Sequence, residues 1–518
     1  MPSFTEEEVR RPSPPLDHDQ GVQVVASAVE SETRDAIRGL FGRDSLYMVL
    51  MGVQLAVFAL CVPITTRVLG PSRFGLVAAA IAVMQILVAI GSFSLQSAVQ
   101  RVYAGSGGDH DARRVVTLAI FLSLGTFAIA DGTGPLWSPM LGLGTYGTTV
   151  RYAVAWAACT AISNAALGLI RSRDQLLRFG IVTLLQSVVA EVLSLLLVVL
   201  VRRTASEFVF GEMIAQAATV AVALVVVRPA ILRRRDLPML AKALRYSAGL
   251  VPAALAAFVL DASDRLVIRH DLGPAAVARY AVAYNVANLT IVLLGVLGTV
   301  WMPRIFSLAD ERVRASVLTT SRDVVYALLI PAAVGLSAAS PILLKIWAPP
   351  SYRPSGLLLI VSIVSLSAFP YAGVLAAGRI LMLARSTMTV GVATVIAAVA
   401  NIALNVQLVP AVGIVGAGAS TFVAYGLLFA LLSSRARLIT PLPLPPLRLC
   451  VKIVAAVAVS LLSTRLPTDP TVTVARMLVA TACLITFISM ISSLLAPSRY
   501  AVVRRIAAFV HPIDMAAA

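Results

Sequence analysis

The residues of this chain that could do chemistry are polar and charged side chains set inside long apolar runs. Asp261, Asp264 and Arg265 stand at i, i+3 and i+4, which is neighbour spacing on a helix surface. Tyr280, Tyr284 and Asn288 share a face in the same way, and so do Asn401 and Asn405. Nearer the N-terminus, Gln54 lies mid-run, Arg67 closes the same run, Glu191 is central in another, and Glu212 shares a face with Gln216. Burying one Asp at the centre of a membrane helix costs roughly 2.5–3.5 kcal/mol, so each such residue needs a reason. Amides and phenols suit hydroxyl-rich ligands, and arginine suits phosphate. A carboxylate taken out of water takes up a proton more readily. This makes Glu191, Glu212 and Asp261 candidates to carry a coupling proton or sodium ion. Plainer readings also exist. Asp264 and Arg265 can pair at an interface, the tyrosines can form an interfacial belt, and the amides and neutral carboxyls can hydrogen-bond between helices.

Covalent chemistry has no comparable support. His18, His110, His270 and His511 are scattered in tails and loops, and no phosphate-binding glycine loop is present. Cys61, Cys159, Cys450 and Cys483 all fall inside apolar runs without metal-ligand spacing, so neither a metal, a cofactor nor a disulfide framework is expected.

The elements that must position these groups follow from composition. Of 518 residues, 59% are hydrophobic and 13% charged, and the mean hydropathy is +0.90. Soluble domains are nearer half apolar and a quarter charged. Continuous apolar runs of ~18 or more residues recur from Ser45 almost to the C-terminus, which argues for an all-α polytopic membrane protein with about 14 transmembrane helices. The net charge of +17 sits mainly in short loops, where it sets topology, so no nucleic-acid partner is expected. With the N-terminus inside, the inner loops and C-terminal tail hold about 25 Lys/Arg and the outer loops about 12. Both termini are therefore expected to be cytoplasmic.

The segment from Ser45 to Met84 recurs about 203 residues later. Leu69-Gly70-Pro71 aligns with Leu272-Gly273-Pro274, Arg67 falls opposite His270, and Arg101-Val102-Tyr103 falls opposite Arg304-Ile305-Phe306. An even number of spans per copy, about six, makes the repeats parallel. The organisation expected is a disordered cytoplasmic tail (1–43), an N-lobe (44–228), a basic linker (229–245) and a C-lobe (246–434). A proline-rich link (435–448), two extra helices (449–497) and a tail (498–518) follow. Most of the buried polar groups fall in the outer half of the bilayer, as an outward-opening vestibule between lobes would need.

Three stretches carry a family resemblance. They are Arg67–Gly75 (RVLGPSRFG), Asp264–Tyr284 (DRLVIRHDLGPAAVARYAVAY) and Ala400–Ala419 (ANIALNVQLVPAVGIVGAGA). In order, on a duplicated six-helix unit, they resemble polysaccharide-transporter (Wzx-like) flippases of the multidrug/oligosaccharidyl-lipid/polysaccharide (MOP) exporter superfamily. The resemblance covers about Ser45–Ser434. It implies a V-shaped two-lobe bundle with a central cavity. It also implies alternating-access movement of a polyprenyl-diphosphate-linked oligosaccharide across a bacterial cytoplasmic membrane, for cell-surface polysaccharide biosynthesis. The cavity residues expected are Gln54, Arg67, Asp261, Asp264, Arg265, Tyr280, Tyr284, Asn288, Asn401 and Asn405. Glycan polymerases or glycosyltransferases are the protein partners expected. Ala278 stands where the family has glycine, with Arg279 beside it. Fourteen spans also resemble the lipid II flippases of peptidoglycan synthesis, although their run of cationic cavity residues is missing from the first spans. A cation-coupled multidrug exporter of the same fold, a non-transporting scaffold of a glycan-assembly complex and a membrane enzyme are the other readings. The excess of basic over acidic groups counts against the drug exporter, and the lack of an acid/base pair counts against the enzyme.

Overall fold

The structure, a computed structural model, describes residues 45–105, 107–141, 143–295, 311–440, 444–467 and 469–495. Both expected tails, the Arg304-Ile305-Phe306 half of the repeat match and the centre of the proline-rich link (441–443) lie outside the described residues. In hydrocarbon, peptide groups must be satisfied within the segment, which favours helices. The described residues are accordingly helical, with no strand among them.

The first lobe comprises α1 (Ser45–Gly91), α2 (Leu95–Tyr103), α3 (Gly108–Gly132), α4 (Gly134–Met140), α5 (Thr148–Ser172), α6 (Leu176–Leu184), α7 (Ala190–Leu200) and α8 (Ala205–Val227). The basic linker contains a helix of its own, α9 (Leu237–Ala248). It is tied down where Arg114 of α3 pairs with Asp236 at 3.2 Å and Thr117 donates to the Ala230 carbonyl at 2.7 Å. The second lobe comprises α10 (Val251–Leu272), α11 (Pro274–Ala287), α12 (Glu311–Trp347), α13 (Leu358–Leu366), α14 (Ala368–Leu383), α15 (Thr387–Val412) and α16 (Ile414–Ile439). Two further helices, α17 (Leu447–Ser463) and α18 (Pro470–Leu495), pack on α12.

Among the described residues, 11 helices are long and apolar enough to cross a membrane, or 12 if the bent pair Pro274–Ala287 and Leu289–Gly295 is one span. The expected count of fourteen is not reached by this measure, for two reasons. Gly52–Gly91 counts once although its backbone breaks at Gly70, and α17 has only 17 residues.

The Leu-Gly-Pro repeats are what fold the bundle. Gly70 takes φ 68°, ψ 175° and Gly273 takes φ 81°, ψ 178°. That region is essentially closed to residues with a Cβ. The following proline starts the next helix, where its missing N–H costs nothing. The same tripeptide therefore makes the same reversal twice. The two turns meet across the lobes, since a Cβ on Gly75 would lie 1.8 Å from the Pro274 carbonyl oxygen. This marks one end of the bundle, the glycine-turn end.

Core packing shows how the lobes are joined. Away from the glycine turns each lobe has its own core. Leu95, Val115, Leu169 and Phe179 belong to the first, and Val317, Leu328, Phe369 and Leu428 to the second. At the glycine-turn end a mixed core joins Val62, Leu69 and Phe74 to Ile268, Tyr280, Tyr352 and Val409. Trp137 and Leu143, from the connection between α3 and α5, also pack against Val83 of α1 and Leu266 of α10. Thr66 donates to the Trp347 carbonyl at 2.7 Å, Arg67 to Ile346 at 2.8 Å, and the Tyr352 hydroxyl to the Thr66 carbonyl at 3.2 Å. The chain is thus a two-lobed V joined at the glycine-turn end. Buried apolar contacts and hydrogen bonds close the bundle at that end.

Candidate substrate cavity

A polar cavity lies between the lobes. It has two compartments of about 350 and 220 Å3, whose walls share Phe58, Ile81, Glu191 and Phe208. The larger is lined mainly by the first lobe, with Gln54 on α1, Trp156 on α5, Gln186 and Glu191 from the α6–α7 segment, and Glu212 on α8. The smaller brings Gln85 of α1 against Asp261, Arg265, Tyr284, Asn285 and Asn288 of the second lobe.

Local structure explains how these side chains arrive. Between α6 and α7 the helix widens into a π turn at Leu185–Val189. Such turns shift the register of the downstream helix and recur at functional sites. Here the turn carries Gln186 and Ser187 into the wall beside Glu191. Gly211 lets α8 approach α7 so closely that a Cβ there would sit 2.6 Å from Ser194 Cα. Its neighbour Glu212, only 6% exposed, therefore faces the same compartment as Glu191. Among the described residues, no basic side chain lines this compartment.

The second lobe supplies a cation held in place by a buried network. The Arg265 guanidinium donates to the Asp261 carbonyl at 2.7 Å, lies 4.8 Å from the Tyr284 ring centroid and stands 3.9 Å from the Asp264 carboxylate. The Tyr280 hydroxyl donates to Asp264, and that of Tyr284 to Asp261 at 2.8 Å. These contacts fix the guanidinium at the cavity wall. Among the described residues no cluster of His, Cys, Asp and Glu could hold a metal ion.

Of the residues expected from the sequence, Gln54, Glu191, Glu212, Asp261, Arg265, Tyr284 and Asn288 line the cavity. Five expected cavity residues do not line it. Arg67 is exposed and staples the two lobes together at the glycine-turn end, donating to Pro63 and Ile346 carbonyls. Asp264 and Tyr280, 2% and 0% exposed, are turned into the α10–α11 interface. Asn401 links α15 to α10 instead, and Asn405 bonds to Asn401 within α15. Asn405 donates to Asn401 at 3.1 Å, and Ser263 of α10 to Asn401 at 3.3 Å. Sequence reasoning missed Gln85, Gln186 and Asn285. The signal that marked Gln54, an amide inside an apolar run, was available for all three. Trp156, Phe58 and Phe208 carried no such signal, since an aromatic in a membrane helix is ordinary.

Comparison with known proteins places this architecture. The family described as "Polysaccharide biosynthesis protein" matches residues 64–355. No curated protein sequence matches the chain. Among solved structures, "Lipid II flippase MurJ, inward closed conformation" is similar with a TM-score of 0.66 at 13% identity, over 86% of this chain and 98% of that one. "Inward-facing conformation of a multidrug resistance MATE family transporter of the MOP superfamily" is similar with a TM-score of 0.55 at 13% identity, over 81% and 98% of the two chains. Its outward-facing counterpart gives a TM-score of 0.51 at 16% identity, over 79% and 97%. At these identities the likeness is one of fold. With the family match spanning more than half of its length, this multi-pass membrane protein, whose two-lobed fold is similar to that of a MOP-superfamily transporter, belongs to the polysaccharide biosynthesis protein family.

Proposed function

We propose that the protein is a flippase that moves a polyprenyl-diphosphate-linked oligosaccharide across the cytoplasmic membrane by alternating access. One observation carries this reading: a polar cavity shared by two lobes that are joined at the glycine-turn end and keep separate cores elsewhere. The glycine-turn end is then the outer face, the termini are cytoplasmic, and the described state is closed to the outside. Arg265 is the group suited to the diphosphate. Gln54, Gln186, Asn285 and Asn288 suit sugar hydroxyls, and Trp156 offers a stacking surface. Glu191 and Glu212 share a compartment that has no basic side chain among its described lining residues. A proton or monovalent cation that neutralises them would couple transport to an ion gradient, with Asp261 as a third candidate.

The same acidic pair beside Trp156 favours a second reading, export of organic cations. Reconstitution separates the two. Purified protein in liposomes is given a fluorescent polyprenyl-diphosphate glycan, and its exposure to an external quencher is followed with and without an imposed proton gradient. Exchange faster than in empty liposomes, and lost in Gln54→Ala and Asn288→Ala, supports flipping. No exchange with several glycans, together with uptake of a cationic dye, replaces it with the exporter. Lipid II serves as one of the substrates tested.

A further inference from the structure

A second cavity, of about 450 Å3, lies between α12, α14 and α16 of the second lobe and the added helix α17, and it shares no wall residue with the central one. We propose that it binds an anionic glycerophospholipid, with an acyl chain in the cavity and the phosphate against Arg437 and Arg322.

The interior is apolar, walled by Phe369, Ile380, Phe429 and Ile453. Its space comes from small side chains on one helix. Gly373, Ala376 and Ala377 of α14 all line it. The cavity is therefore written into α14 rather than left by loose packing. Even a methyl at Gly373 would come within 2.4 Å of the Phe429 ring.

The polar end has the opposite character. Arg322 in the N-terminal third of α12 and Arg437 in the last turn of α16 both line the cavity. This end lies away from the glycine turns. Arg322 is paired with Asp323 at 2.8 Å, which holds its guanidinium in place. Arg437 is exposed and makes no ion pair among the described residues, so its charge is open to a ligand. Arg435 and Arg448 are exposed nearby in the chain, and no acidic side chain is among the described residues that line the cavity. An apolar cavity alone would accept any acyl chain. An arginine pair at its mouth selects for a negative headgroup.

The test uses the full-length protein purified in detergent. Native mass spectrometry and thermal melting are run with phosphatidylglycerol and, in parallel, phosphatidylcholine with the same acyl chains. The expected result is one retained phosphatidylglycerol per protein, with a melting shift at least twice that given by phosphatidylcholine. Ala377→Phe should remove the adduct by filling the cavity. Arg437→Gln should abolish the preference between the two lipids, and Arg437→Lys should restore part of it. Equal retention of the two lipids by the unmodified protein overturns the proposal. So does a phosphatidylglycerol adduct that survives Ala377→Phe, or a preference unchanged in Arg437→Gln. If Ala377→Phe does not fold, the arginine variants decide the question. Displacement of phosphatidylglycerol by an equimolar polyprenyl phosphate would also overturn it, by assigning the cavity to a prenyl chain.

Discussion

Replacing Gly75 by alanine should open the bundle at the glycine-turn end. The new Cβ would stand 1.8 Å from the Pro274 carbonyl oxygen, against 3.4 Å for ordinary contact. The two turns must then separate by about 1.6 Å, and a close-packed interface cannot absorb that by small adjustments. Overpacking of this kind costs about 1–3 kcal/mol. The cost falls on the closed state alone, because the clash exists only where the lobes meet. A bias of that size shifts a two-state equilibrium by about 5–150-fold. The interlobe hydrogen bonds of Thr66, Arg67 and Tyr352 lie in the same region and would be lost together with the contact. The assay is double electron–electron resonance between spin labels at Ser72 and His270, both exposed and on opposite lobes, after Cys61, Cys159, Cys450 and Cys483 have been replaced. The unmodified protein should give a short distance as its main population. In Gly75→Ala a longer distance should become the main population. A monodisperse variant with an unchanged distribution would refute the reasoning, because the turn would then have yielded locally without moving the lobes.

Other perturbations test the surrounding network. Thr66→Val removes a buried donor from the Trp347 carbonyl and should lower stability by about 1–3 kcal/mol. Arg67→Ala, at an exposed site, should cost no more than about 1 kcal/mol, and thermal melting of the pair checks the contrast. Arg265→Gln leaves Asp264 buried without its cation and should destabilise by about 3–5 kcal/mol. Asp264→Asn in the same chain should recover most of the melting temperature but not lipid-glycan flipping, and recovery of both would remove Arg265 from the substrate site. Glu191→Gln and Glu212→Gln should each abolish the response of flipping to an imposed proton gradient. The double variant should be no worse than either one, whereas additive losses would show two independent roles.

Much of the fold was legible because it rests on strong local signals. Long apolar runs permit little but helices, and Leu-Gly-Pro encodes a reversal through Gly70 and Gly273 whose geometry requires glycine. The duplication could be read because both copies make that turn. The number of spans was less legible. α17 is short, and the helices on either side of Gly70 abut with no residue between them other than the turn. The closed end was not legible at all. Arg67 looked like a cavity residue because a charge at the end of a span suits an anionic ligand. Its partner is a carbonyl 279 residues away, and nothing local indicates that.

The division of the candidate site follows from helix geometry. Asp261, Asp264 and Arg265 form one stripe in sequence, yet they do not point the same way. In an α-helix four residues return to within about 40° of the start, while three fall about 60° short. Asp261 and Arg265 therefore reach the cavity together, and Asp264 turns into the interface with Tyr280. Spacing gives these angles but not which side of the stripe faces the other lobe, and the packing of α10 against α15 and α11 decides it. Gln186 and Glu191 show the opposite failure. Five residues apart, they would diverge by about 140° on an α-helix. The π turn at Leu185–Val189 brings positions i and i+5 nearly over one another, so both face the same compartment. A reading based on regular periodicity separates that pair, and only the irregular turn unites them.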